Sequence, residues 1–244
     1  LRRLGPRTLL FLRQIEEIAW GVEGGPSGLY VRGKAEKIGE NVRRIVLLGE
    51  EHGKPDIEET WLLFSREAKT PEGTVAGHVE IAFSITPADE PGRFYVQTVS
   101  DSPLVVFFPT VLPTHLGFLV QGPYRTTPSR DNVPRNDPWN QHLAQETATL
   151  LVEALHSLRT LGLLDVNALR SLPLDRVKFA EGSMFAPLFA AVREALRSEP
   201  LLPASGGAHT PAGTAKLART QELRELFGPR QLASVFGADG DMAW

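Results

Sequence analysis

The stretch between Tyr124 and Asn136 carries the side chains best suited to chemistry, because it holds three arginines among polar residues and prolines. The three are Arg125, Arg130 and Arg135. A guanidinium stays charged at physiological pH, and its planar fork donates paired hydrogen bonds to phosphate or carboxylate oxygens. With little apolar content to bury, the stretch is expected to form a loop that recognises an anion. A solubilising surface loop is an equally open interpretation, and a nucleic-acid contact ranks below both.

A short strand is expected directly before this loop. Apolar residues alternate there, and the pair Gly122-Pro123 then halts regular strand pairing. The alternating residues are Leu116, Phe118 and Val120.

A long helix is expected directly after the loop. Asp137 suits its N-cap, and Pro138 suits the first turn, where a missing N–H costs nothing. Residues at three- and four-residue steps then indicate one buried face, and Gly162 ends the helix. The free N–H groups at the start of such a helix favour anions, which supports an anion-recognising loop. The residues of the expected buried face are Leu143, Thr147, Leu150, Leu151, Ala154, Leu155 and Leu158.

The run GPYRTTPSRDNV, Gly122–Val133, resembles the middle segment of the ninety-kilodalton heat-shock chaperones and the corresponding segment of sacsin. In those chaperones an Asn-Val-Ser-Arg-Glu run precedes a helix, and its arginine reaches the γ-phosphate of ATP held in an upstream GHKL (Bergerat-fold) domain. Ser129-Arg130-Asp131 matches Ser-Arg-Glu, whereas Thr127-Pro128 stands where the chaperones have Asn-Val. The resemblance therefore implies that Arg130 is the catalytic, γ-phosphate arginine. On the residues alone, a helix-flanking cation paired with Asp131 or Asp137 is the alternative.

Three further residues are candidates for contact with the nucleotide. Ser129 belongs to the matching motif, and Arg125 has a supporting role or a solvated surface role. Gln121 can orient a water molecule, as glutamines do in some nucleotide hydrolases, although hydrogen bonds to the backbone are the favoured interpretation. The histidines flanking the loop lack the spacing of a metal site, so no metal ligand is assigned.

Similar sequence blocks occur in large bacterial proteins with a sacsin-like amino-terminal ATP-binding domain. These blocks resemble FFPT, THLGFLVQGPYRTTPSRDN and SMFAPLF of this chain, and the segment TLLFLRQIEEI adds a weaker point of resemblance. The resemblance covers about the first two thirds of the chain. It implies a bacterial, chaperone-like ATPase in which this chain is the transducer, relaying the nucleotide state from the upstream domain.

ATP and Mg²⁺ are implied for that parent protein, whereas this chain alone is expected to bind no cofactor and to be no enzyme by itself. It has no Walker glycine loop and none of the Asp-x-Gly or glycine-lid patterns of GHKL domains. The implied partners are the upstream GHKL domain and client proteins. The alternative is a non-catalytic protein-interaction module whose arginine-rich loop binds an acidic surface.

The order of elements predicts an α+β fold, in which a mixed, largely antiparallel sheet carries helices on one face and a smaller helical segment follows. The resemblance implies the fold of the second domain of a small-subunit ribosomal protein. We expect a transducer-like domain at 1–165 and a helical extension at 166–244. Residues Val79–Ile85 alternate as in a strand with one wet face, and Leu104–Phe108 is expected to be a strand buried on both faces, deep in the sheet. A later helix is expected to be capped by Ser183, and another by Thr214.

The composition fits a globular protein of 244 residues with a net charge of −3 and no cysteine. The absence of cysteine fits a cytoplasmic protein, and the slightly acidic balance makes nucleic acid an unexpected partner. No apolar run reaches the ~20 residues that span a bilayer, so a membrane partner is not expected. Because the chain begins at Leu1, we expect it to be a piece of a longer polypeptide.

Overall fold

The computed structural model describes residues 5–129, 132–204, 207–215 and 231. Within them, ten strands form one sheet above which three α-helices lie, so the predicted α+β class is confirmed. The strands of the sheet are β1 (Glu17–Gly21), β2 (Ser27–Arg32), β3 (Glu36–Lys37), β4 (Val42–Glu51), β5 (Ile57–Lys69), β6 (Val75–Pro87), β7 (Phe94–Gln97), β8 (Pro103–Val106), β9 (Phe108–Pro113) and β10 (Leu119–Gln121). The remaining elements are a 3₁₀ helix (Pro6–Leu10), α1 (Pro138–Thr160), α2 (Val166–Ser171), α3 (Ala186–Ser198), β11 (Leu202–Pro203) and β12 (His209–Thr210).

The sheet is mixed but largely antiparallel, as predicted. Its main strand order is β1-β2-β4-β5-β6-β10-β8-β9, with β3 beside β4 and β7 beside β6. The pair of β10 with β8 is parallel, and the other strand pairs of the described residues are antiparallel. Strand β10 therefore lies between β6 and β8, and it leads directly into the arginine loop.

One face of the sheet packs against the α-helices. Helix α1 begins after its N-cap Asp137, as predicted, and Gly162 follows its last turn with a left-handed φ of 70°. Its predicted buried face is buried, including Leu143 and Leu158 at 0% exposure. Helix α3 lies against α1, so the helices and this side of the sheet share one apolar core.

The other face of the sheet is also covered, so the expectation of a wet face on β6 is wrong. Glu80, Ala82 and Ser84 alternate with the predicted apolar residues, yet they are only 1%, 0% and 8% exposed. The 3₁₀ helix supplies the cover, with residues of the first strands beside it. This second core contains Leu9, Leu10, Phe11, Tyr30, Ile45, Leu47, Trp61, Leu63, Ala82, Val99, Val105 and Leu119.

The apolar run Leu104–Phe108 was expected to be one strand buried on both faces, deep in the sheet. The burial on both faces is confirmed for Leu104–Val106, because Leu104 and Val106 lie in the first core and Val105 in the second. The extent of the strand and its place deep in the sheet are wrong. Strand β8 ends at Val106, because Phe107 takes a left-handed φ of 61° and turns the chain into β9. Phe107 is 57% exposed and Phe108 is 43% exposed. Strand β9 ends the strand order, so β8 lies next to an edge strand.

The later helices differ from prediction in their starts. Helix α3 begins after Phe185 without a side-chain capping bond, so Ser183 is not its cap. Helix α2, capped by Asp165, was not predicted. The helix expected from Thr214 onwards lies almost wholly outside the described residues. The boundary after residue 165 stays a prediction, and side chains of α2 and α3 join the same core as α1. None of the described helices is long and apolar enough to cross a bilayer.

Candidate functional site

The arginine loop joins β10 to α1 and runs from Gly122 to Asp137. Arg130, the predicted γ-phosphate arginine, and its neighbour Asp131 lie outside the described residues. The two limbs of the loop are described on either side of them. The hydrogen bonds of those limbs show how the loop is attached to the rest of the fold.

One buried amide ties the two limbs together. Asn140, in the first turn of α1, is 1% exposed. Its Oδ1 accepts a hydrogen bond from the backbone N–H of Arg125 at 2.7 Å. Its Nδ2 donates to the carbonyl oxygens of Arg125 and Pro134, each at 3.0 Å. The outgoing limb and the returning limb are therefore fixed to the same turn of the same helix.

Side chains at the base of the loop add further anchors. The Trp139 indole N–H donates to the carbonyl oxygen of Pro123 at 3.0 Å. The hydroxyls of Tyr124 and Thr147 lie 3.1 Å apart inside the core. Burial raises the pKa of Tyr124, and its hydrogen bond with Thr147 opposes that rise only in part. These contacts attach the outgoing limb to α1 at the base of the loop.

The loop is closed again just below its tip. The backbone N–H of Thr127 donates to the carbonyl oxygen of Asn132 at 3.0 Å, and the N–H of Asn132 donates to Oγ1 of Thr127 at 3.2 Å. Val133 follows and is 1% exposed, so the returning limb is also seated in the core. Ser129 is exposed on the outgoing side, next to the tip. The two limbs of the loop are therefore held together at two levels, by Asn140 and by the Thr127–Asn132 pair.

The charge at the helix start is already balanced. Asp137 Oδ1 accepts from the N–H groups of Trp139 and Asn140 at 2.8 and 3.1 Å, and its Oδ2 lies 3.3 Å from Arg125. Burial favours the protonated carboxyl, but these backbone N–H groups and Arg125 together hold the pKa of Asp137 below its ordinary value. Arg125 therefore already forms an ion pair with Asp137, and its side chain is 66% exposed.

Gln121 is the last residue of β10, directly before the loop, and its side chain lies on the second face of the sheet. It is 7% exposed and sits directly opposite Glu80 in the pairing of β10 with β6. Its amide oxygen is buried and has no hydrogen-bond partner in the described part of the chain. Arg125 and Ser129 are thus both exposed on the loop, whereas the side chain of Gln121 lies on the second face of the sheet.

Asn140 is the positioning residue that the sequence analysis missed. A signal was present, because Asn140 falls three residues before Leu143 and therefore on the buried face predicted for α1. A buried amide needs partners, and the nearest unpaired backbone groups are those of the adjoining loop. The sequence alone does not say which carbonyls those are.

Comparison with known proteins gives one partial similarity. No protein-family model matches the chain, and no solved structure gives a significant match. The chain is similar to the Arabidopsis thaliana protein named NO VEIN, with 29% identity over 158 residues. That stretch is 63% of this chain but 5% of the plant protein. The chain thus spans a small fraction of the length of this relative.

Proposed function

We propose that this chain is the middle, transducer-like region of a chaperone-like GHKL ATPase. In this proposal Arg130 meets the γ-phosphate of ATP bound in an upstream domain, and helix α1 relays the nucleotide state to the rest of the chain. The observation that carries the proposal is the Asn140 clamp, which fixes both limbs of the loop to the first turn of α1.

A clamped loop suits this task for a physical reason. A guanidinium stabilises charge that develops on a transferring phosphoryl group only if it is already aligned when the reaction begins. A loose loop would lose conformational entropy on each turnover. Two limbs held by one buried amide, and closed again at Thr127 and Asn132, avoid most of that cost.

The parent protein would supply the nucleotide and Mg²⁺, because this chain offers no nucleotide-binding motif of its own. The resemblance of Gly122–Val133 to the chaperone segment supports the assignment. The partial similarity to the plant protein is compatible with a segment of a much longer protein.

The test is the steady-state ATPase rate of a polypeptide that contains this chain together with its upstream region. Arg130→Ala is expected to lower turnover at least tenfold, or about 1.4 kcal/mol of transition-state stabilisation, with nucleotide affinity retained. Arg135→Ala, on the exposed returning limb of the same loop, is the matched control and is expected to leave turnover unchanged. Equal rates for all three proteins, or an upstream region without GHKL motifs, would overturn the proposal.

A protein-interaction module is the second candidate, and a specific surface favours it. Phe107, Phe108 and Val111 are 57%, 43% and 54% exposed on the turn into β9 and along this edge strand. Exposed apolar residues in a row mark interaction surfaces more often than single ones do. If substitution of Phe107 abolishes the binding of a partner protein, and Arg130→Ala leaves the ATPase rate unchanged, the interaction module replaces the ATPase transducer as the proposed function.

A further inference from the structure

Glu80 is a buried carboxylate at the centre of β6, on the sheet face opposite the α-helices. It is 1% exposed. Its Oε1 lies 2.8 Å from Nη2 of Arg13, 3.6 Å from Nη2 of Arg43 and 3.3 Å from the hydroxyl oxygen of Ser65. All three contacts converge on one of its two oxygens.

Two acceptor atoms beside these contacts are unused. Glu80 Oε2 and Gln121 Oε1 are both buried and have no hydrogen-bond partner in the described part of the chain. The two residues are direct cross-strand partners, so their side chains share one face, with Cβ atoms about 5 Å apart. Buried acceptors without donors are costly, and here one of the two belongs to a buried carboxylate.

The segment that covers this pair is held by polar contacts. Leu12–Glu16, which we name the strap, is mostly exposed. Arg32 holds it through its side chain, which donates to the carbonyl oxygens of Leu12 at 2.8 Å and of Arg13 at 3.2 Å. The backbone N–H of Arg32 donates to the carbonyl oxygen of Glu16 at 2.7 Å. Cavities of about 270 and 390 Å³ flank the strap, and Phe11 and Arg13 line both.

We propose that Glu80 and Gln121 form a guanidinium-binding site, which the chain's own Arg13 fills incompletely and which an arginine side chain of another polypeptide takes in its place. Arg13 reaches a single oxygen through a single nitrogen. A guanidinium that enters with its fork facing Glu80 uses both carboxylate oxygens and brings further N–H donors towards Gln121. The exchange replaces one positive charge with another, so the charge balance with Glu80 and Arg43 is kept.

The surroundings select arginine over lysine. The unused acceptors belong to two planar groups on neighbouring strands, which suits a planar donor array better than the point charge of an ammonium group. The cavity wall next to Gln121 is largely apolar, with Phe11, Phe107 and Pro123 among its residues. A guanidinium is more weakly hydrated than an ammonium, so it enters such a wall at a lower desolvation cost.

The direct test uses the 244-residue chain and a short blocked peptide, acetyl-Gly-Arg-Gly-amide, with its citrulline counterpart as the neutral isostere. Arg13→Ala empties the site and is expected to bind the arginine peptide at least tenfold more tightly than the wild-type chain does, without binding the citrulline peptide. Arg44→Ala is the matched control, because Arg44 also pairs with one carboxylate, Glu36, and is similarly exposed, 41% against 45% for Arg13. Equal affinities for Arg13→Ala and Arg44→Ala, or equal binding of citrulline, would overturn the proposal.

A second test uses the wild-type chain, with Glu80→Gln as its control. Glutamyl endopeptidase cleaves on the carboxyl side of glutamate, and the bond after Glu16 lies at the end of the strap. The arginine peptide is expected to speed cleavage of this bond in the wild-type chain by displacing Arg13. The rate is expected to stay constant with the citrulline peptide, and the acceleration is expected to vanish in Glu80→Gln. An arginine peptide that leaves the cleavage rate unchanged would contradict the proposal. Neither test depends on ATP hydrolysis, so its outcome is independent of the proposed function.

Discussion

At the scale of single residues, buried polar side chains hold a loop and a surface segment of this molecule in place. Asn140 ties together a loop that contains three arginines, and Glu80 holds the strap through Arg13. The sequence predicted the loop after Gly122 and the Asp137 cap, because their signals are local. It did not predict which carbonyls of the adjoining loop Asn140 binds, nor the partner of Glu80, because Arg13 lies 67 residues earlier in the chain.

Replacement of Asn140 tests the clamp as a stabilising element. Asn140→Ala removes three hydrogen bonds and leaves the Arg125 N–H and the carbonyls of Arg125 and Pro134 without this partner, so the free energy of unfolding is expected to fall by roughly 2–3 kcal/mol. Gln145→Ala removes an exposed amide from the same helix and is expected to change stability little. Urea unfolding of the 244-residue chain measures both. Equal losses would show that the clamp contributes nothing beyond its helix position.

Asp137 gives the loop a pH dependence at its base. Because its folded-state pKa lies below the ordinary value of 3.8, its stabilising effect is complete above that value. The effect is lost as the pH falls through the folded-state pKa. The difference in urea midpoint between wild type and Asp137→Ala is therefore expected to be constant from pH 5 to 7 and to shrink below about pH 4. A difference that grows on acidification would contradict this assignment.

At the scale of elements, the alternation of apolar residues predicted the strand at Val79–Ile85. The prediction of an exposed face failed, because another segment of the chain buries that face. The predicted alternation over Val79–Ile85 lies within β6. The wet face expected on β6 is buried, because the 3₁₀ helix packs in one core with Ala82 and Arg13 of the strap contacts Glu80. The run through Phe107 is broken by a left-handed residue, for which hydrophobicity gives no signal.

The turn at Phe107 carries backbone strain that a glycine would release. A bulky residue at a φ of 61° is unfavourable, and the Phe107 side chain is mostly exposed. Phe107→Gly is therefore expected to keep or raise the free energy of unfolding, by up to about 1 kcal/mol. Phe108→Gly, one residue later within β9, is expected to lower it, because glycine weakens a strand. Thermal or urea unfolding distinguishes the two, and a clear destabilisation by Phe107→Gly would show that the side chain packs more firmly than its exposure indicates.

The position of α2 depends on close contact between the backbone of Gly117 and the backbone of Ser171. A Cβ added at Gly117 would lie 2.5 Å from Cα of Ser171, and the Gly117 N–H donates to the Ser171 carbonyl oxygen at 2.9 Å. Gly117→Ala is expected to lower the free energy of unfolding by roughly 1–3 kcal/mol, because backbone cannot yield as a flexible side chain does. Gly5→Ala meets nothing within 4 Å and serves as the control. Similar urea midpoints for the two variants would show that α2 shifts freely.

At the scale of the whole molecule, the sheet and helix α1 act as one support for the loop. Arg66 of β5 lies 2.7 Å from Glu146 and 2.5 Å from Glu153, two carboxylates about two turns apart on the same side of α1. These ion pairs complement the apolar core between helix and sheet. A force on the loop would therefore reach the sheet through α1, as a transducer requires in the proposed function.

The most direct test of this account is a double-mutant cycle on ATP turnover in the polypeptide that contains this chain and its upstream region. The variants are Arg130→Ala, Asn140→Ala and the two together, with nucleotide affinity measured in parallel. If Asn140 acts by positioning the arginine, each single variant lowers turnover and the double variant is no slower than Arg130→Ala alone. Losses that add fully, or turnover unaffected by Arg130→Ala, would contradict the claim that the clamped loop presents an arginine to the γ-phosphate.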